Sequence, residues 1–268
     1  HSFPTRRSSD AEFVFFALRA DDLKDEARRF TLTAAEIALL NPNTRTCPIF
    51  RSRRDAELTK AIYGRVPVLI QEGPPEVNPW GIRFSTMFHM SNDSGLFRTR
   101  AELAGAGYRL VGNRFVPDLD ASEERSDHRS PATDHYLPLY EAKLLHHFDH
   151  RWATYVNDSD TRDVTAAERD DPAFVVLPRY WVDAREVEAK LEDGRQWLIG
   201  FRNISNTTNE RTALFSVLPV SAVGNSTPII TAADTDPGER VLLPSSLSSF
   251  ALDYVARNSM GGTNFNFY

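Results

Sequence analysis

Between Gly200 and Pro219 the chain reads GFRNISNTTNERTALFSVLP, and its polar centre gathers Arg202, Asn203, Asn206, Thr207, Thr208, Asn209, Glu210, Arg211 and Thr212. Such side chains read nucleic acid: Asn pairs bidentately with adenine, Arg pairs with guanine, and Thr donates to phosphates. The same composition also suits a plain polar loop between two strands. A basic cluster, Arg51-Ser52-Arg53-Arg54-Asp55, follows Asn41-Pro42-Asn43-Thr44-Arg45-Thr46. Ser52 and the free amides of a helix start would receive a phosphate there, with Arg53 and Arg54 adding charge. The alternative is a Ser52 that only caps a helix, with solvated arginines. The third constellation is His146-His147-Phe148-Asp149-His150. On a helix, His146 and His150 would sit one turn apart, the spacing of two zinc ligands, with Asp149 and Glu141 as oxygen donors. That set would serve a metal-dependent hydrolase or nuclease. A DNA-facing or interdomain element, or histidines satisfied in a core, are the competing readings. Gly261-Gly262-Thr263-Asn264 reads as a helix stop or as a close backbone approach to a nucleotide.

The elements that must position these groups follow from periodicity and punctuation. Glu12 to Leu18 reads as a strand. Thr33-Ala34-Ala35-Glu36 is a capping box opening a helix through Leu40, stopped by Asn41-Pro42. Ser52 starts a second helix with Ala56, Leu58, Ile62 and Tyr63 on one face, and Pro67 to Ile70 reads as a short buried strand. Thr99-Arg100-Ala101-Glu102 caps a third helix ending at Gly105 or Gly107, before a strand at Tyr108 to Val111. Pro138 to His147 and Arg185 to Leu191 read as helices. Trp197 to Ile199 and Ala213 to Leu218 read as buried strands flanking the polar run. Ser245 to Arg257 reads as one helix with Leu247, Phe250, Ala251, Tyr254 and Val255 along one side. Strands and helices do not alternate regularly, so the expected class is α+β, a mixed sheet with surrounding helices. The expected division is 1–10, a non-native or disordered segment (HSFPTRRSSD has no hydrophobic period), then 11–115, an acidic loop at 116–135, and 136–268.

FRNISNTTNERTALFSVLP resembles the FRD-I-ar-sTNERT-aI-s-lP signature in the carboxy-terminal region of large adenine-specific DNA methyltransferases, the fused type IIG restriction–modification enzymes and related phage-defence methylases. Four further stretches resemble the same region in the same order: Asn41 to Ile70, Asn78 to Phe97, Tyr136 to Tyr155 and Ser245 to Tyr268. The third is similar to a Glu-x-Lys-x-(Ile/Leu)-His-x-Phe-Asp-His-Arg pattern that is not a metal site in that family. Departures are local: Arg45 stands where glycine is more usual, and Ser259-Met260 precedes Gly-Gly-Thr where a basic–apolar pair is commoner. The resemblance implies a target-recognition-like fold and a function in recognising and clamping double-stranded DNA for a site-specific adenine-N6 methyltransferase. It implies DNA contacts from Arg51, Arg53, Arg54, Lys143, His147, Arg151, Arg202, Asn203, Asn206, Thr208, Asn209, Arg211, Thr212, Gly261, Gly262 and Thr263. Methyl transfer from S-adenosylmethionine would belong to a preceding domain with a Gly-rich strand–turn–helix and an Asn-Pro-Pro-Tyr or Asn-Pro-Pro-Phe tetrapeptide. Neither occurs here: Asn41-Pro42-Asn43 and Asn78-Pro79-Trp80 lack the second proline. The chain is therefore expected to be a fragment of a larger enzyme with no catalytic residue and no cofactor of its own, its partners being DNA and that domain. A structural scaffold within a defence complex is a further alternative.

Composition bounds these readings. The 268 residues are 41% hydrophobic and 25% charged, with no apolar run of the length a membrane span needs. A single cysteine, Cys47, fits a reducing cytoplasm, and its apolar neighbours suggest a buried structural thiol. The net charge of −6 argues against a free-standing, nonspecific nucleic-acid binder. Acidic residues crowd Asp118 to Asp134 and Asn157 to Asp171, segments able to hang away from a binding face. The basic residues are nearly all arginine, which makes the better fork for guanine edges and phosphates.

Overall fold

The computed structural model describes residues 10–118, 134–191, 196–232, 237–260 and 262–265. Most of the expected segment 1–10, most of the acidic loop, and Gly261 lie outside the described residues. In chain order the elements begin with β1 (Asp10–Phe13), β2 (Phe30–Thr33), α1 (Ala34–Leu40), α2 (Arg53–Tyr63), β3 (Arg83–Ser85), α3 (Arg100–Gly105), β4 (Tyr108–Val111) and β5 (Arg114–Pro117). They continue with β6 (Tyr136–Tyr140), β7 (Ala153–Tyr155), β8 (Thr161–Asp163), α4 (Ala166–Asp170), β9 (Trp181–Asp183), α5 (Ala184–Glu188) and β10 (Trp197–Phe201). The last are β11 (Phe215–Pro219), β12 (Ala222–Val223), β13 (Ile229–Thr231), α6 (Pro237–Leu247) and α7 (Phe250–Ser259). The class is mixed α and β. Among the described residues no helix is long and apolar enough to cross a membrane.

Two compact units share the chain, and neither is continuous in sequence. The first takes residues up to Ile82, Asn206–Thr212 and Ser249 onward; the second takes Arg83–Ser205 and Ala213–Ser248. The segment 116–135, expected as an acidic loop, begins within the end of β5 and runs to the start of β6, and these two strands pair antiparallel.

In the first unit, β1 and β2 form an antiparallel pair. Phe30, Leu32, Leu40, Phe50 and Ala56 make its core, with Phe13, Phe15, Ile37, Cys47 and Tyr63 packed against it. The Thr33 hydroxyl accepts from the Glu36 amide at 3.1 Å and the Glu36 carboxylate accepts from the Thr33 amide at 2.8 Å, so the expected capping box sets the start of α1. Lys60 on α2 reaches the same carboxylate at 2.8 Å, and both contacts hold the Glu36 carboxyl below its ordinary range. Cys47 is half-buried, and burial pushes its thiol up to about 11. Pro67 to Ile70 forms no strand, and none of its residues is fully buried. The expected strand at Glu12 to Leu18 stops at Phe13, and Phe16 adopts a positive φ of 58°.

The second unit is built on two larger sheets, beside the antiparallel β7–β8 pair. One is antiparallel in the order β11-β10-β13-β3; the other runs β12-β6-β5-β4, with β9 also pairing β6. Its main core includes Phe88, Leu139, Tyr140, Leu144, Leu145, Val182, Leu198 and Leu218. A satellite core joins Leu103, Tyr108, Phe115 and Trp181, whose indole N–H donates to the Asn113 carbonyl at 2.8 Å. Pro138 to His147 is not a helix. Tyr136–Tyr140 is a strand whose last four residues are buried, followed by a short 3-10 turn at Ala142–Leu144. A continuous apolar run buried on both faces carries no 3.6 period, and Pro138 sits opposite Trp181 without needing to donate. Thr99 caps α3 as expected, whereas the helix expected at Arg185 to Leu191 is the shorter α5, which starts at Ala184 and ends at Glu188.

The expected single helix from Ser245 to Arg257 is two helices. It breaks at Ser248-Ser249, where the Ser249 side chain accepts from the Leu252 amide and caps α7. Its buried face also differs: Phe250 is 83% exposed, while Asp253, Ala256 and Asn258 are buried. That burial brings polar groups to the most chemically suggestive segment of the chain.

Candidate nucleic-acid interface

The polar run from Arg202 to Thr212 divides between the two units. Arg202 and Asn203 belong to the second, where β10 ends. The Arg202 guanidinium turns inward and donates through Nε to the Leu145 carbonyl at 2.8 Å. Burial lowers its affinity for its proton, an effect Asp163 partly offsets. Arg202 is thus a brace for the turn after Leu145. Asn203 is half-buried, its amide N–H donates to the Ser226 carbonyl at 3.1 Å, and its carboxamide makes no hydrogen bond among the described residues.

Asn206 to Thr212 lie in the first unit as a loop held by α7. Arg257 donates to the Thr207 carbonyl at 2.7 Å and the Glu210 carbonyl at 2.9 Å, and meets Asp253 at 3.3 Å. The Asp253 carboxylate, 6% exposed, accepts from the backbone amide of fully buried Thr212 at 2.7 Å. Asn206 accepts from both the amide and the hydroxyl of Thr208 at 3.0 Å, an Asx turn that fixes the loop's first corner. The Thr212 hydroxyl points back to the Asn206 carbonyl at 3.4 Å. Arg211 lies over the Phe250 ring at 4.3 Å. Thr212, Asn206 and Arg211 therefore do structural work. Asn209 is different: its side chain is exposed and its carboxamide makes no hydrogen bond among the described residues. Thr208 is exposed beside it.

The start of α2 is already satisfied. The Ser52 hydroxyl accepts from the Asp55 amide at 3.2 Å and donates to the Asp55 carboxylate at 2.7 Å. Asp55 also accepts from the Tyr254 hydroxyl at 2.7 Å. A carboxylate in the first turn interacts with the helix dipole and repels a phosphate at the same place. Of the two readings of Ser52, the cap is the one these hydrogen bonds describe. Of the arginines, Arg51 lies over the Phe16 ring at 4.9 Å, and Arg53 donates from Nε to the Arg29 carbonyl at 3.0 Å. Arg54 is exposed, with no hydrogen bond or ion pair among the described residues.

The histidine segment is a tight turn, not a helix. His146 and Asp149 exchange backbone hydrogen bonds of 2.7 and 3.0 Å, and Phe148 takes a positive φ of 64°. The helical spacing on which a zinc pair depends is absent, and no group of three or more His, Cys, Asp or Glu among the described residues is placed to hold a metal ion. His146 stacks on Trp152 with centroids 4.2 Å apart, and Asp149 accepts from Arg169 at 2.9 Å. The Arg151 guanidinium donates to the carbonyls of Arg169, Asp171 and Phe174 at 2.6, 3.0 and 3.2 Å, closing the end of α4. Lys143 lies over the Tyr155 ring at 4.7 Å and 3.9 Å from Glu141, half-exposed. Glu141 accepts from the Tyr155 hydroxyl, and burial, reinforced by that carboxylate, raises the phenol. His147 lies with its ring 4.0 Å from that of Phe148. Gly262 and Thr263 are exposed, and nothing crowds a Cβ at Gly262, so packing does not require glycine there.

Reasoning on residue type missed Asp253 and Arg257. Their four-residue spacing on a helix, acid before base, is the signal that marks them. No family model matches the chain, no curated protein matches it, and no solved structure matches its fold.

Proposed function

We propose that this chain is a DNA-recognition region of a site-specific adenine-N6 DNA methyltransferase, with a target-recognition-like fold, acting with a separate domain that binds S-adenosylmethionine. The observation that carries the reading is the Asn206–Thr212 loop, pinned through its backbone to Arg257 and Asp253, while the exposed Asn209 carboxamide makes no hydrogen bond among the described residues. A carboxamide on a rigid support has the donor–acceptor pair that adenine presents in the major groove, and pre-organisation spares it the cost of ordering on binding. The ordered resemblance of five stretches to that enzyme group supports the same reading. Arg54 supplies the exposed charge for phosphate anchoring.

The test is enrichment of duplexes from a randomised pool by the full chain. A single preferred sequence is expected. Asn209→Ala then relaxes one position, costing roughly 1–3 kcal/mol of discrimination. Arg54→Ala weakens all sequences alike and lowers the salt slope by about one unit. Enrichment of no sequence by the wild-type chain overturns the proposal.

A further inference from the structure

We propose that Arg179, with Lys143 and Tyr180, binds a phosphate oxyanion on the second unit. The source of that phosphate, a phosphodiester of the DNA backbone, rests on the DNA-recognition reading above.

The inward-turning arginines described so far find backbone carbonyls: Arg202 meets Leu145, Arg151 meets three carbonyls at the end of α4, and Arg257 meets Thr207 and Glu210. Arg179 does not. Its Nε is fully buried without an acceptor, and its guanidinium makes no hydrogen bond or ion pair among the described residues. It lies over the Tyr180 ring, 4.9 Å from the centroid. Buried polar groups nearly always have a partner, and a buried charge without one is costly. A cation–π contact offsets only part of that cost.

The backbone beside Arg179 is already engaged. The Leu177 carbonyl accepts from the Tyr155 amide at 3.0 Å, the Tyr180 carbonyl from the Leu139 amide at 2.9 Å, and the Trp181 carbonyl from the Arg98 amide at 2.9 Å. These bonds give the guanidinium a fixed base. The Tyr155 phenol joins the group: Lys143 lies over its ring at 4.7 Å, and Arg179 and Tyr180 are both within its electrostatic reach. The Tyr180 hydroxyl makes no hydrogen bond among the described residues, and its ring is braced 5.8 Å from that of Phe97. Glu141 is the carboxylate of the group, accepting from the Tyr155 hydroxyl and lying 3.9 Å from Lys143.

This chemistry selects the ligand. Guanidinium, ammonium and a phenol O–H are donors, and phosphate oxygens accept from all three, a fork from arginine included. Two cations, Arg179 and Lys143, against one carboxylate, Glu141, leave a single net positive charge. A phosphodiester carries one negative charge and matches it, whereas a doubly charged phosphate is repelled more strongly by Glu141.

Arg179→Met removes the unpaired charge and keeps an apolar stem, so its melting temperature should equal or exceed that of the wild type. Affinity of the full chain for a mixed-sequence duplex should fall roughly tenfold, and the salt slope should drop by about one unit. Arg179→Lys should keep the slope and still bind more weakly, because an ammonium lacks the fork. Unchanged affinity and slope in Arg179→Met overturn the DNA contact, while loss of discrimination in Asn209→Ala still upholds the DNA reading. Where Arg179→Met lowers the melting temperature, the half-exposed Lys143 decides: Lys143→Met should lower the slope by about one unit, and an unchanged slope overturns the site. If the wild-type chain binds no duplex, the DNA reading falls and titration with inorganic phosphate tests the site alone. Binding that Arg179→Met abolishes then upholds it for a small phosphate, and no binding overturns it.

Discussion

Replacing Asp253 by alanine should loosen the Asn206–Thr212 loop more than any other single change on α7. The carboxylate is 6% exposed and accepts a 2.7 Å hydrogen bond from the amide of Thr212, itself fully buried. A hydrogen bond to a charged group contributes about 1.5–3 kcal/mol, and a buried amide left without a partner costs about 1–3 kcal/mol. These overlap, so the loss should be roughly 2–4 kcal/mol. Arg257 keeps its two carbonyl acceptors, and its half-exposed pairing with Asp253 at 3.3 Å adds little. Hydrogen exchange over residues 206–212 reads the effect directly. If local opening governs exchange, Asp253→Ala should accelerate it roughly 30- to 1000-fold. Asp253→Asn retains an oxygen that accepts from Thr212 and should lose less than about 1 kcal/mol. Unchanged exchange in Asp253→Ala would refute the argument. So would an Asp253→Asn variant as loose as the alanine variant, because charge and not the acceptor would then hold the loop.

Two more expectations concern the second unit. A Cβ at Gly200 on β10 would lie 2.8 Å from a Thr227 methyl and 2.9 Å from a Leu218 methyl, both in fully buried side chains, so Gly200→Ala should lower stability by about 1–3 kcal/mol in denaturant titration; an unchanged midpoint would mean that the core yields there. His150 is held below its ordinary value of 6.5, first by burial and then by Arg151. The unfolded chain therefore binds the proton more tightly, so this contribution is full above pH 6.5 and lost as pH falls through the folded value. His150→Gln should flatten that part of the stability–pH curve, and an unaltered curve would remove His150 from the account.

Helix starts were legible because a cap is a local device. Thr33, Ser52 and Thr99 each accept from an amide three residues ahead, and their spacing to the first-turn acid is visible in the sequence. The Ser248-Ser249 break was not legible, since Leu247, Phe250, Ala251 and Tyr254 keep a helical period across it. Strand β6 was missed because Leu137-Pro138-Leu139-Tyr140 has no period at all, and only pairing with β9 and β12 decides its state. At the candidate site, exposure of Asn209 fits the sequence reading, whereas Arg151 and Arg202 turn inward. A guanidinium serves a backbone carbonyl as well as a phosphate, so residue type alone leaves its direction open.

The shared ownership of the chain has a consequence for how the protein is made. The Asp55–Tyr254 hydrogen bond joins residues 199 positions apart, and α7 also supplies Asp253 and Arg257 to the loop. A ribosome releases residues 10–82 long before α7, so the β1–β2 pair and its small aromatic core must wait, half-supported, while the whole second unit is synthesised. Closing so long a loop is entropically expensive but only logarithmically worse than closing a shorter one. The delay is therefore a matter of order, not of strength. The second unit can collapse first on its own cores, and α7 then completes the loop that presents Asn209, so the candidate reader becomes rigid only after the second unit has been synthesised.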